Sequence, residues 1–172
     1  MLFRSKMIEL LAAQIYPSPL ALLRENIQNS FDAVLQRLHG GDAFEPRIDV
    51  TIAPGEITVS DNGKGMSERE LRDNFWKAGS SSKNTPEAQA AGVVGTFGIG
   101  AMANFGIARA LTVETESSAT GERFVSSAEK AKLSVTEDCI VLHPSVSTGQ
   151  PGTTIRASIA RSEEHTSELQ SH

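Results

Sequence analysis

The sequence predicts an α+β two-layer sandwich, one sheet covered by helices on one face. The order of elements carries that prediction: helical patterns come first and a run of short strands follows. Size and composition agree with it. The chain has 172 residues, enough for one domain with a real core. Hydrophobic residues make up 39% and charged residues 22%, ordinary for a soluble globular domain.

The same numbers exclude several classes. A net charge of −5, a pI near 5.4 and the lack of a basic patch argue against direct nucleic-acid binding. The single cysteine, Cys139, excludes an internal disulfide framework and a cysteine zinc site. Neither a signal peptide nor an apolar run of membrane-spanning length occurs, so a cytoplasmic domain with no membrane partner is expected.

Met1 to Tyr16 carries apolar residues at Met7, Leu10, Leu11 and Ile15 and reads as a helix or arm. Pro17 and Pro19 then fix the backbone, and Ser18 can cap a helix running to about Leu38. His39-Gly40-Gly41 closes that helix. Arg47–Ala53 alternates as a strand, Pro54-Gly55 turns, and Glu56–Ser60 completes a hairpin. The loop DNGKGM, Asp61 to Met66, leaves the second strand. Ser67 with Glu70 then forms a capping box for a helix through about Lys77. Gly79 to Gly92 is polar and reads as a mobile loop or lid. GTFGIG, Gly95 to Gly100, opens an apolar helix to about Ala108. Strands are expected at Ala110–Thr115, Glu122–Ser126, Lys132–Thr136, Ile140–His143 and, after the turn GQPG, Thr153–Ile159.

The tail Arg161 to His172 does not follow this pattern and resembles the translation of a common sequencing-adapter oligonucleotide. The domain is therefore expected to span 1–160, with the natural protein continuing past Ala160. His165 and His172 are then not ligand candidates.

The chemistry begins in the helix ALLRENIQNSFDAVLQR, Ala21 to Arg37. Leu22, Glu25, Asn29 and Asp32 follow one another at offsets of three and four, on one stripe. A stripe holding a Leu should face the core, yet this one also carries two carboxylates and an amide. Buried carboxylates are costly unless paired or bound to a ligand, so the stripe is expected to line a pocket. Gly63, Gly65, Gly95, Gly98 and Gly100 form two clusters, which serve either as turns or as close-approach loops for phosphate. They match neither the Rossmann nor the P-loop spacing. Asp61 reads as a turn residue or as an acceptor for an exocyclic amine such as adenine's. Gly65 and Met66 would then offer backbone and a soft apolar side chain to the base. Asn29 has a side-chain oxygen suited to magnesium, and Glu25 one turn earlier could orient or deprotonate a water. Each residue taken singly also reads as a solvated helix position. Together, E-x-x-x-N-x-x-D-A, D-x-G-x-G and G-x-x-G-x-G in this order form a specific pattern.

That pattern resembles the GHKL ATPase superfamily of gyrase, heat-shock chaperone, histidine kinase and MutL, and it covers Leu20 to Ile159. The resemblance implies a Bergerat-type fold, a mixed and mostly antiparallel sheet with helices on one face. It implies ATP and Mg2+ as ligands. Glu25 matches the catalytic base and Asn29 the magnesium ligand. Asp32, followed by Ala33, matches the acidic pocket residue of the helix motif. Asp61 matches the adenine-binding Asp, with Gly65 and Met66 its loop. Gly95, Phe97, Gly98, Ile99 and Gly100 match the phosphate-binding lid hinge. Thr153 matches the Thr supporting the adenine site, Asn74 is similar in position to a nucleotide-contacting Asn, and Lys83 is placed to reach phosphate. Closure of the lid in this superfamily usually accompanies dimerisation, and a downstream domain supplies a basic residue.

Within the superfamily, YPSPLALLRENIQNSFDAV and ITVSDNGKGMSERELRDNF resemble the ninety-kilodalton heat-shock chaperones most. The segment Asn84 to Val94 is shorter than the chaperone lid, and Ala101 stands where those chaperones usually carry an aromatic. No Trp-containing strand follows the lid, and GSSSK is closer to MutL and MORC-type ATPases. The expected function is a slow, nucleotide-switched ATPase module of a chaperone-like homodimer acting on a client protein. The alternatives are a DNA-processing ATPase of the MutL, gyrase or MORC kind and a non-hydrolysing nucleotide sensor. Glu25 with Asp32-Ala33 is the hydrolase-like form and speaks against a histidine kinase.

Overall fold

A computed structural model describes residues 18–76, 103–132 and 140–159. Helix α1 (Pro19–His39) starts where Ser18, in extended conformation, accepts a hydrogen bond from the Leu20 amide through its side chain. Pro19 occupies the first turn, where its missing N–H costs nothing. The helix ends at Gly40, and Gly41 takes the left-handed turn beyond it.

Six strands follow among the described residues: β1 (Ile48–Ala53), β2 (Glu56–Asp61), β3 (Ala108–Glu116), β4 (Arg123–Glu129), β5 (Val141–Ser145) and β6 (Gly152–Ile159). They form one sheet in the order β1-β2-β6-β3-β4-β5. This is the expected α+β class. Every pairing among the described strands is antiparallel, so the parallel component of a mixed sheet does not occur among them. The last strand, β6, inserts between β2 and β3, which brings the chain's ends of β2 and β3 against its own start.

Strand alternation separates two faces. Val59, Ile155, Val113 and Ser126 lie in register across the sheet and are all buried beneath the helices. Leu22 of α1, Leu71, Trp76, Phe105, Leu111 and Phe124 complete this core. The opposite face carries the row Asp49, Ser60, Thr154 and Glu114. Glu114 there receives both Arg123, at 3.0 Å, and Arg156. A concavity of about 820 Å³ lies on that face, walled by Arg47, Asp49, Glu114, Arg123 and Gln150.

Three expectations need correction. The helix expected to run to about Ala108 ends at Asn104, and 105–107 form a turn before β3 begins at Ala108. The capping box of Ser67 and Glu70 is present, but the helix it starts is short: α2 covers Glu68–Glu70. A π-helical turn, Leu71–Trp76, replaces the rest. Its i to i+5 spacing brings Leu71 and Trp76, five residues apart, into the core together. The Trp76 indole then donates to the Ser126 hydroxyl at 3.0 Å. The expected strand at Lys132–Thr136 also fails at its start. Lys130–Lys132 is a 3-10 turn, and 133–139 lie outside the described residues. The arm Met1–Tyr16, the lid Gly79–Gly92, the Gly95–Gly100 loop and the tail 161–172 lie outside them as well.

Candidate functional site

Helix α1 supplies one wall. Its buried residues are Leu22, Asn26, Ser30, Asp32 and Val34. The expected stripe is thus buried at its ends, Leu22 and Asp32, while Glu25 and Asn29 stand half-exposed at its edge. The Asn29 amide donates to Glu25 Oε1 at 3.4 Å, and Gln28 donates to Asp32 Oδ1 at 3.0 Å. Besides Asp32, two deeply buried polar positions on this helix, Asn26 and Ser30, are ones the sequence reading did not single out. Asn26 Nδ2 donates to Asn104 Oδ1 at 2.6 Å, and Ser30 donates to Asp61.

The loop after β2 supplies the floor, and two glycines explain how it gets so close. A Cβ on Gly63 would lie 2.6 Å from the backbone of Ala33 on α1. A Cβ on Gly65, whose φ is +63°, would lie 1.8 Å from the Glu116 carbonyl oxygen at the end of β3. In D-x-G-x-G the first glycine seats the loop on the helix and the second seats it on the sheet. The Lys64 amide donates to the Ala33 carbonyl at 3.1 Å, and Arg37 donates to the Asn62 carbonyl at 2.8 Å. Lys64 itself pairs with Glu70 at 2.7 Å.

Asp61 sits at the centre. Its side chain points to the α1 side of the sheet, in register with Thr153 and Thr115. The Gly63 amide donates to it at 2.8 Å, and the Ser30 hydroxyl and the Thr153 amide donate too. Burial nonetheless dominates and pushes its carboxyl from 3.8 up to about 6.

Thr153 is buried beside it. The Thr115 hydroxyl donates its one proton to the Gly152 carbonyl at 3.2 Å and accepts the Met66 amide at 2.9 Å. The 3.0 Å contact between the two threonine hydroxyls therefore has Thr153 as donor. Of the candidate residues, the fold brings together Ala33, Asp61, Gly65, Met66 and Thr153, with Glu25, Asn29 and Asp32 along α1. Asn74 lies in the π-helical turn, half-buried. Lys83, Gly95, Phe97, Gly98, Ile99 and Gly100 lie outside the described residues.

Ser30, Thr115 and Glu116 were missed. Ser30 gives no signal of its own, because a helix serine is ordinarily solvated. Thr115 and Glu116 belong to the consecutive buried run Thr115-Glu116-Ser117, a polar break in the alternation of β3.

The arrangement defines a class. The family described as histidine kinase-, DNA gyrase B-, and HSP90-like ATPase matches residues 18–157, and the chain belongs to it. Among curated proteins it is similar to a chaperone protein HtpG from Rhodopseudomonas palustris, 32% identical over 134 residues, 69% of this chain and 21% of the relative. A Fusobacterium nucleatum chaperone protein HtpG is 32% identical over 143 residues, 72% of this chain and 24% of the relative. A Polaromonas chaperone protein HtpG is 28% identical over 169 residues, 81% of this chain and 26% of the relative. The chain thus spans roughly a fifth to a quarter of the length of these relatives. Among the described residues no helix is long and apolar enough to cross a membrane.

Proposed function

We propose that this domain binds ATP with magnesium and hydrolyses it slowly, as the nucleotide switch of a cytoplasmic, chaperone-like homodimer. The observation that carries this reading is Asp61. A carboxyl pushed up to about 6, held by Ser30, Gly63 and Thr153 beneath α1, is an acceptor that a further donor would stabilise. The exocyclic amine of adenine is such a donor, with Met66 and Gly65 against the base and Thr153 behind the carboxylate. The phosphates then extend along α1 past Asp32 toward Asn29 and Glu25.

Glu25 and Asn29 lie one turn apart at a half-exposed edge, the Asn29 amide donating to Glu25 Oε1, and the side-chain oxygen of Asn29 is of the kind magnesium takes. Magnesium keeps several waters and is held through one or two side chains together with the phosphates. When bound, magnesium would neutralise charge on the phosphates. Glu25 would orient a water toward the terminal phosphate and take its proton. Gly79 to Gly100, with Lys83 and the Gly95–Gly100 hinge, would fold over the phosphates and exclude water, and Asn74 would contact the nucleotide. A basic residue from elsewhere in a longer chain would add transition-state stabilisation. An arginine finger supplies roughly 10³–10⁵ in rate, so these 172 residues alone should turn over slowly. The relatives matched are chaperones by name, which favours this reading over a DNA-processing ATPase.

The test is calorimetric titration of ATP·Mg2+ into the wild type and Asp61→Asn. Loss of a hydrogen bond to a charged group predicts affinity reduced on the order of 10- to 100-fold, with the preference for ATP over GTP lost. A folded wild type that binds no ATP would overturn the reading.

A further inference from the structure

Glu116, the last residue of β3, is 3% exposed and makes a second set of contacts beside the site. Its carboxylate accepts the Ser147 hydroxyl at 2.8 Å and the Gly149 amide at 2.7 Å on Oε1. It accepts the Thr148 amide at 2.8 Å and the Thr148 hydroxyl at 2.7 Å on Oε2. Those donors form the connection from β5 to β6. Val146 in that connection is 85% exposed and does not anchor it. Among the described residues, the hydrogen bonds of 147–150 go either to Glu116 or within the loop.

The loop leads directly into Gly152 and Thr153, and the Thr153 amide is one of the donors to Asp61. The carbonyl of Glu116 meanwhile lies under Gly65. One residue therefore grips both sides of the candidate base pocket, the DNGKGM loop by its backbone and the start of β6 by its side chain. Thr115, its neighbour, ties the two together through the Met66 amide and the Thr153 hydroxyl.

We propose that Glu116 is a positioning residue for the base end of the nucleotide pocket, setting the Thr153 amide against Asp61 and the Thr153 hydroxyl against Thr115 by clamping the Ser147–Gly149 loop. This rests on the nucleotide-binding reading above. Glu116 does not touch the ligand, and its effect falls on base recognition and not on the phosphates.

The experiment measures Kd for ATP, ADP, adenosine and GTP by calorimetry, well below the melting temperature, on the 172-residue chain. Glu116→Gln keeps the volume but turns an amide toward the loop donors. It is expected to weaken ATP, ADP and adenosine by one common factor of about tenfold, the cost of a single displaced hydrogen bond, and to reduce the ATP-to-GTP preference. The double variant Ser147→Ala/Thr148→Val keeps Glu116 and removes only hydroxyl donors. It should shift Kd in the same direction, and combined with Glu116→Gln it should add little further. If Glu116→Gln does not fold, the loop variant decides alone. Variants with a lowered melting temperature but unchanged Kd and unchanged base preference would overturn the proposal and leave the nucleotide reading intact. A wild type that binds none of the nucleotides would overturn both.

Discussion

Asp61 and Glu116 are both withdrawn carboxyls at one end of the sheet, yet they are driven in opposite directions. Asp61 ends β2 and faces α1; Glu116 ends β3 and faces away from it, in register with Gly152. At Asp61 burial outweighs three donors, and the carboxyl rises from 3.8 to about 6. At Glu116 burial also opposes ionisation. Four donors on both oxygens overcome it, and the carboxyl falls from 4.5 to about 2. The difference is one of saturation. Glu116 is a charge whose acceptor sites are filled by its own chain, so it serves as an anchor. Asp61 is a charge short of donors, so it gains from a ligand that brings one.

The harshest way to break the comparison is Gly65→Ala, because Gly65 is where the two regions touch. A Cβ there meets the Glu116 carbonyl at 1.8 Å from a backbone with φ of +63°. The expected cost is roughly 3 kcal/mol or more, read as a lowered denaturation midpoint. A change below 1 kcal/mol would mean the loop is free to lift off β3.

The pH dependences should have opposite signs. The Asp61 carboxyl is raised in the folded state, so its ionised form opposes folding. Stability from this group therefore grows as pH falls through about 6 and is complete below 3.8. The range corresponds to roughly 3 kcal/mol, absent in Asp61→Asn. ATP affinity should fall over the same interval, since a protonated Asp61 is a poorer acceptor. The Glu116 carboxyl is lowered. Its contribution is present in full above 4.5 and is lost as pH falls toward 2. Protection of the Thr148 and Gly149 amides, taken relative to their intrinsic exchange rates, should fall in that acid window and not near pH 6. A loss of protection near pH 6 would mean that the two groups titrate together.

The smallest effect is expected on the helix-free face. Arg47 and Asp49 pair at 2.7 Å there, but both side chains are more than half exposed. Asp49→Asn should change stability by under about 0.5 kcal/mol and leave ATP affinity alone. A larger effect on affinity would show that the two faces are coupled.

Much of this was legible because it is local. Ser18 and Pro19 start α1, the Ser67–Glu70 box starts α2, and Pro54-Gly55 turns the β1–β2 hairpin, each through residues adjacent in sequence. The stripe from Leu22 to Asp32 is buried only at its two ends, and the buried polar positions between them are Asn26 and Ser30. The partners that bury those two, Asn104 and Asp61, are distant in the chain. The π-helical turn at Leu71–Trp76 escaped for a related reason. Its geometry is set by where two large side chains find the core, and helix propensity does not encode that.

Residue chemistry and spacing alone were therefore enough for the fold class, the bounds of α1 and the carboxylates and glycines that carry the family's pattern. They could not say which carboxylate would be saturated. That depended on β6 inserting between β2 and β3, which places Thr153 beside Asp61 and the Ser147–Gly149 loop over Glu116. A carboxyl's charge state answers to the donors around it, and those donors come from segments that only the folded chain brings near.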